Sequence, residues 1–337
     1  MHFLITGHTG FKGSWLLLML RERGHEVSGV SLEPESDSLF RTMSLGSTCK
    51  EDIRCDVRDF DSIQRHFKRV NPDVVIHLAA QALVQKSYRE PLTTFQTNVM
   101  GTINVLKASQ FLPNLKAQLI ITTDKVYNNV NKLDGYVESD SLGGLDPYSS
   151  SKAMADLATQ SWLSSFDNPP TAIARAGNVI GGGDACADRL IPDLVSAYTK
   201  DLVPKLRSPN SIRPWQHVLD CLNGYLELVD ALLEGRGTGA WNFGPDESRL
   251  RTVAEVANIA SQVWGGAIAW ENDFISYPHE ANVLVLNSEK ARTQLGWSDK
   301  LNFEESVSWT MNWYKDVFSG QDPLEKTLCN IREFEGR

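Results

Sequence analysis

The sequence predicts an α/β protein built on a doubly wound parallel sheet, with a smaller, discontinuous lobe supplied mainly by its C-terminal part. Short apolar runs alternate with amphipathic stretches through the first two-thirds of the chain, the pattern of strands joined by crossover helices. The turn Thr6-Gly7-His8-Thr9-Gly10-Phe11-Lys12-Gly13 separates the first apolar run from the first amphipathic one. After about Asn178 the rhythm breaks, with Gly181-Gly182-Gly183 and then Pro204, Pro209 and Pro214.

Residues 2–6 read as a strand that ends in the glycine turn, and residues 14–23 as a helix that Gly24 stops. Residues 26–31 are a second strand. The continuous apolar run 74–79 suits a strand buried on both faces. A long helix is expected over 92–110 and a strand over 119–123. Residues 148–166 form a helix with Asp146 as N-cap and Pro147 at its first position. A further strand covers 171–174. Shorter elements follow, carrying Trp264, Trp270 and Trp297. The expected division is 1–178, plus returning segments, for the first domain and 179–337 for the second lobe.

Among 337 residues, 33 Lys and Arg face 42 Asp and Glu, a net charge of −9 with no long basic block. Nucleic acid and an acidic membrane surface are therefore not expected as partners. The most apolar run, 15–20, is far short of the roughly 20 residues that span a bilayer. No charged leader followed by an apolar stretch opens the chain, so a cytoplasmic location is expected. The five cysteines show neither metal-ligand spacing nor a paired framework; free thiols are expected and no metal site.

Gly7, Gly10 and Gly13 stand at the spacing that lets backbone N–H groups approach a pyrophosphate between a strand and a helix. A dinucleotide site follows. The end of the second strand, where an acid often holds the adenosine ribose, carries Ser31, with Glu33 two residues on, and Lys12 lies within the glycine turn. The choice between NAD and NADP stays open on these residues. Asp56 and Val57 are candidate adenine contacts, Asp56 equally a turn cap.

The strand over 119–123 delivers Thr123, Asp124 and Lys125 at its C-terminal end, where ligands of open α/β sheets bind. Tyr148 and Lys152, four apart, share one helix face. An ammonium beside a phenol favours phenolate, so Tyr148 is expected to have a lowered pKa and to act as a base. Dinucleotide plus base indicates hydride chemistry at an alcohol carbon.

Several stretches resemble the extended short-chain dehydrogenase/reductase family in its nucleotide-diphosphate-sugar branch, most closely the dehydratases of CDP-linked hexoses. They are TGHTGFKGSWL, HLAAQALVQKSYREP from His77, TNVMGT from Thr97, TTDKVY from Thr122, DPYSSSK from Asp146, RAGNVIGGGD from Arg175, DRLIPD from Asp188, RPWQHV from Arg213, WNFGP from Trp241 and HEA from His279. The likeness spans about 3–313 and implies a Rossmann fold that takes NAD through the glycine turn with Phe11, Leu78, Ala79, Ala80 and Asn98. It also implies an internal redox cycle on a nucleotide sugar. Hydride leaves carbon 4, water is lost across carbons 5 and 6, and hydride returns at carbon 6. Tyr148 would take the 4-hydroxyl proton, Thr123 would bond the same oxygen, and Lys152 would hold the nicotinamide ribose. Asp124 would be the acid for the departing 6-hydroxyl and Lys125 the base at carbon 5. Asp124 and Lys125 read equally as a plain ion pair.

Arg213 is the expected phosphate clamp, since guanidinium binds phosphate through two parallel hydrogen bonds. The resemblance adds Gln81, Asn178, Arg189 and His279 around the substrate. Trp215 reads as a packing aromatic. One departure stands out: in the segment 128–138, expected near the sugar, Val137 replaces the family's Arg and the Trp residues are absent. The resemblance also implies a homodimer packed through the helices 92–110 and 148–166. A 4-epimerase on the same scaffold and a non-catalytic dinucleotide binder are the other readings.

Overall fold

The computed structural model describes residues 1–246, 251–265, 270–273 and 283–337. Its strands are β1 (His2–Thr6), β2 (Glu26–Ser31), β3 (Glu51–Arg54), β4 (Val74–His77), β5 (Ala117–Ile121), β6 (Thr171–Ala176), β7 (Asn178–Ile180), β8 (Lys205–Leu206), β9 (Trp215–His217), β10 (Gly239–Phe243) and β11 (Glu271–Asn272). Seven of them form one sheet in the order β10-β6-β5-β4-β1-β2-β3. Every pair in it is parallel.

The chain runs outward from β1 to β3, returns to β4 on the other side of β1, and runs outward again. The loops leaving β1 and β4 therefore diverge, and a crevice opens beyond their C-terminal ends. Helices cover both faces. On one, Leu16, Leu17, Leu222 and Tyr225 pack with Ile5, Ile76 and Leu119; on the other, Ile63, Phe67 and Val105 pack with Leu4, Val30 and Val75. The helix Phe11–Glu22 is buried from Gly13 through Leu20, which is why its sequence is apolar all round. Each large aliphatic side chain so buried contributes about 1.5–3 kcal/mol.

β4 and β5 each stop two residues before their apolar runs do, so Leu78, Ala79, Thr122 and Thr123 leave the sheet as loop and face the crevice. Asp146 caps the helix Pro147–Ser165 by accepting the Ser149 N–H, with Pro147 at the first position. The helix expected over 92–110 is one path but not one geometry. Pro91–Phe95 and Gly101–Ser109 are α-helical, and Gln96–Met100 between them is a π-turn.

Beyond β6 two small parallel ribbons form, β7 with β9 and β8 with β11. They pack with the helices Leu190–Tyr198, Val253–Trp264 and Phe303–Phe318 on a separate core that includes Ile180, Ile191, Leu194, Tyr198, Trp215 and Val256. β10 returns to the edge of the main sheet beside β6. The five cysteines are free.

Candidate active site

One cavity of about 970 Å³ runs from the glycine turn to the β7–β9 ribbon. At its sheet end Gly7 has φ +79°, and a Cβ there would lie 2.7 Å from the Ala79 nitrogen; at Gly13 it would lie 2.2 Å from the Gly7 carbonyl oxygen. No real side chain tolerates either distance. Gly10 meets no such obstruction, its nearest neighbour being 3.4 Å away. The helix that follows begins with no side-chain cap and no acid in its first turn. Its N–H groups and dipole are thus left for an anion beside a bare backbone cradle, and the residues fit a dinucleotide pyrophosphate.

Phe11, Lys12, Asp56, Val57, Leu78, Ala79 and Ala80 line this end. Asp56 accepts from Arg58 through side chain and backbone, so it is also the turn cap the sequence offered as its alternative; the Arg58 hydrogen bonds hold its carboxyl below the usual range. At the end of β2, Ser31 pairs with Thr9 at 2.6 Å, while Glu33 is held by Arg41 and Arg54. Lys12 turns away from that end and donates to the Tyr225 hydroxyl at 3.2 Å. Burial lowers its pKa.

Asn98 lines no part of the cavity. It sits in the π-turn, where its side chain accepts the Gln81 N–H at 2.9 Å and donates to the Gln81 carbonyl and to the Ser151 hydroxyl. The Gln81 amide is spent on Leu83 and Thr94, so this residue lines the cavity with its side chain already engaged.

Past the cofactor end, Thr123 starts a short 3₁₀ turn and donates to Asp124 at 2.9 Å. Asp124 is fully buried; one carboxylate oxygen has no partner and the other lies 3.5 Å from the Lys125 ammonium. Lys125 reaches the cavity and Asp124 does not. Tyr148 lines it too, with its phenol raised to about 12, first by burial, against the opposing Thr123 hydrogen bond. Lys152 donates to the Ile121 carbonyl at 2.9 Å, and burial, then the charge on Lys12, lowers it to about 7. The expected lowering of Tyr148 by Lys152 is therefore absent from this geometry. The ammonium is pinned to the end of β5, and burial acts on both groups in the direction that disfavours charge.

At the ribbon end Asn178, Arg189 and Arg213 line the cavity. Arg189 is engaged by Asp184 at 2.8 Å, a partner the sequence did not reveal. Arg213 is buried, with one N–H on the Ile212 carbonyl. His279 lies outside the described residues. The segment 128–138, expected near the sugar, contributes nothing to the cavity lining among the described residues. Tyr136 is instead bonded through its backbone to Val285 and Asn287, and Glu138 accepts the Asn242 N–H. Two residues that sequence reasoning did not place at the site, Asp184 and Trp215, do line it.

The sequence profile of the GDP-mannose 4,6-dehydratase family matches residues 4–310. The chain belongs to that family. Within the wider group of nucleotide-sugar dehydratases it is 41% identical to CDP-glucose 4,6-dehydratase of Salmonella typhimurium, over 98% of this chain and 94% of that protein. It is 25% identical to dTDP-glucose 4,6-dehydratase 1 of Escherichia coli, over 93% of this chain and 92% of the other. Among solved structures, dTDP-glucose 4,6-dehydratase of Bacillus anthracis in complex with NAD superposes with a TM-score of 0.81 at 23% identity, covering 96% of this chain and 99% of that one. UDP-glucose 4-epimerase of Thermotoga maritima with UDP-glucose gives 0.81 at 21%, covering 94% and 100%. These two likenesses establish the shared Rossmann-type fold.

Proposed function

We propose that the protein is an NAD-dependent 4,6-dehydratase that converts CDP-glucose to CDP-4-keto-6-deoxyglucose with loss of water. The observation that carries this reading is one cavity that joins the glycine cradle to Thr123, Lys125 and Tyr148 and continues to Asn178 and Arg213. The 41% identity to the Salmonella enzyme supports CDP-glucose as substrate. We assign residues 1–178 with the returning β10 to the cofactor domain, and 179–337 mainly to the sugar-nucleotide lobe.

NAD would be held by Gly7, Gly10, Phe11, Lys12 and Gly13 at the pyrophosphate, by Asp56 and Val57 at the adenine, and by Leu78, Ala79 and Ala80 beneath it, with Asn98 fixing that loop from behind. When bound, it supplies the acceptor for the carbon-4 hydride and returns the same hydride at carbon 6. Tyr148 takes the proton of the 4-hydroxyl. Because burial opposes its ionisation, the groups that favour the phenolate matter most, and those are the Thr123 hydroxyl and the charge of Arg189. Lys152, which the resemblance assigns to the nicotinamide ribose, lies buried in the same cluster, and burial lowers it to about 7. The family resemblance supports Asp124 as the acid for the departing 6-hydroxyl; its carboxyl lies behind Thr123 and Lys125 and must turn toward the cavity to deliver the proton. Lys125, which reaches the cavity, removes the proton from carbon 5 and gives one back there when hydride adds at carbon 6.

Pure protein with NAD+ is incubated with CDP-, dTDP-, GDP- and UDP-hexoses, and each product is weighed. Loss of one water from CDP-glucose without net NADH is expected; water loss from another sugar nucleotide keeps the reaction and moves the substrate, and no mass change overturns the dehydratase reading. Lys125→Met tests the base: carbon-5 proton exchange that survives this change removes Lys125 from the role.

The partner is a second copy of the chain. Leu92, Met154 and Leu157 stand exposed on the neighbouring helices Pro91–Phe95 and Pro147–Ser165, an unpartnered apolar face that suits a helical dimer interface. No described helix is long and apolar enough to cross a membrane.

A further inference from the structure

Buried polar atoms in folded proteins nearly always have a partner, and an orphan costs about 1–3 kcal/mol. Two of the orphans here are neighbours. Asn178 and Trp215 are directly paired residues on the β7–β9 ribbon, so their side chains leave the same face. The Asn178 Oδ1 and the Trp215 Nε1 are both buried without a hydrogen-bond partner, and both residues line the cavity. Arg213, joined to Trp215 by a tight turn in which the Trp215 N–H donates to the Arg213 carbonyl at 3.0 Å, lines it as well.

Trp215 is otherwise a core residue. It is 5% exposed and packs with Ile180, Ile191, Leu194 and Val256. Its indole ring is fully used there, and only the N–H is unused. Buried tryptophans normally satisfy that donor, so a lone one at a cavity wall marks an acceptor supplied from outside the chain. The chain is closely packed just before the ribbon, where a Cβ on Gly177 would lie 2.3 Å from the Pro214 ring.

We infer that Trp215 is a substrate-positioning residue whose indole N–H donates to an oxygen of the substrate's diphosphate, beside the Arg213 guanidinium. A neutral donor suits this place. It adds a directional bond to the charge that Arg213 brings, and it fixes where along the ribbon the diphosphate stops. Asn178, on the adjacent strand, then offers its free oxygen to a hydroxyl of the attached sugar. The inference rests on the nucleotide-sugar reading of the cavity.

The test follows the indole N–H resonances of the ¹⁵N-labelled protein during titration with CDP, with Trp215→Phe identifying the signal of interest by its loss. A marked downfield shift of the Trp215 signal on CDP binding is expected. Trp215→Phe keeps an aromatic side chain in the core but removes the donor together with the pyrrole half of the indole; it should weaken CDP binding by about tenfold or more while leaving NAD+ affinity unchanged. A Trp215 resonance that stays in place while CDP binds, or a variant that binds CDP within about twofold of the parent, overturns the inference and leaves the substrate class standing. If the variant fails to fold, the resonance of the parent protein still decides. Failure of CDP, UDP, GDP and dTDP alike to bind overturns the nucleotide-sugar reading and the inference with it.

Discussion

The two ends of the cavity are finished to different degrees. At the glycine turn the polar side chains that line the cavity are engaged by the protein, Thr9 by Ser31, Asp56 by Arg58, and Gln81 by Leu83 and Thr94, while the ligand is offered backbone N–H groups and empty space. At the ribbon the protein stops short, and Asn178 Oδ1 and Trp215 Nε1 wait without partners. A cradle of backbone cannot adjust and needs no adjustment, because every dinucleotide carries the same pyrophosphate. A wall of side chains with unmet hydrogen bonds rewards one ligand geometry and penalises others. The first end is general and the second selective.

The largest expected effect separates chemistry from both ends. Tyr148→Phe removes the base and should lower kcat by about a thousandfold, with NAD+ and CDP affinities unchanged; a drop smaller than about tenfold would take Tyr148 out of the proton path. Next, Gly13→Ala breaks only the general end, since its methyl would strike the Gly7 carbonyl. Loss of NAD+ binding by about a hundredfold, read by fluorescence titration, is expected, and CDP binding should persist. At the selective end, Arg213→Lys keeps the charge but loses the fork, and should raise the sugar-nucleotide KM about tenfold with little change in kcat. Equal loss at both ends would show that the two are coupled.

The smallest effect lies outside the cavity. Asp220 is buried, with one oxygen on the Lys300 N–H and the other unpaired, and burial pushes its carboxyl up to about 7. Its folded-state pKa lies above that of the unfolded chain, about 3.9. Below about pH 4 both states hold the proton and stability is whole; as pH rises toward 7 the unfolded chain ionises first and stability is lost. Asp220→Asn should therefore raise Tm by a few degrees at pH 8 and by much less at pH 5, as measured by calorimetry. An equal shift at both pH values would mean that Asp220 does not titrate in this range.

Much of the general end was legible in the sequence because its rules are local. A strand, a glycine turn and a helix are contiguous, and Asp146 with Pro147 marks the start of the helix that carries Tyr148. What escaped depends on partners far along the chain. Asp184 beside Arg189 is close in sequence but is brought round only by the folded loop, and Tyr136 is drawn away from the cavity by Val285 and Asn287. Spacing placed Tyr148 and Lys152 on one face, but it carries no information about how deeply that face is buried, and burial set the direction of both pKa shifts.

The π-turn at Gln96–Met100 has its own implication for how this chain can vary. An α-turn holds 3.6 residues and a π-turn about one more, so a single deletion anywhere in 96–100 would restore regular winding. The helices on either side would keep their faces, because the π-turn has already absorbed the extra residue, and the change would fall on the residues of the turn itself. The residue brought into Asn98's place would face neither Gln81 nor Ser151, and the loop that carries Ala79 and Ala80 would lose its anchor. Length at this point is thus as constrained as identity is at Gly7, though no side chain there touches the cavity except Thr97.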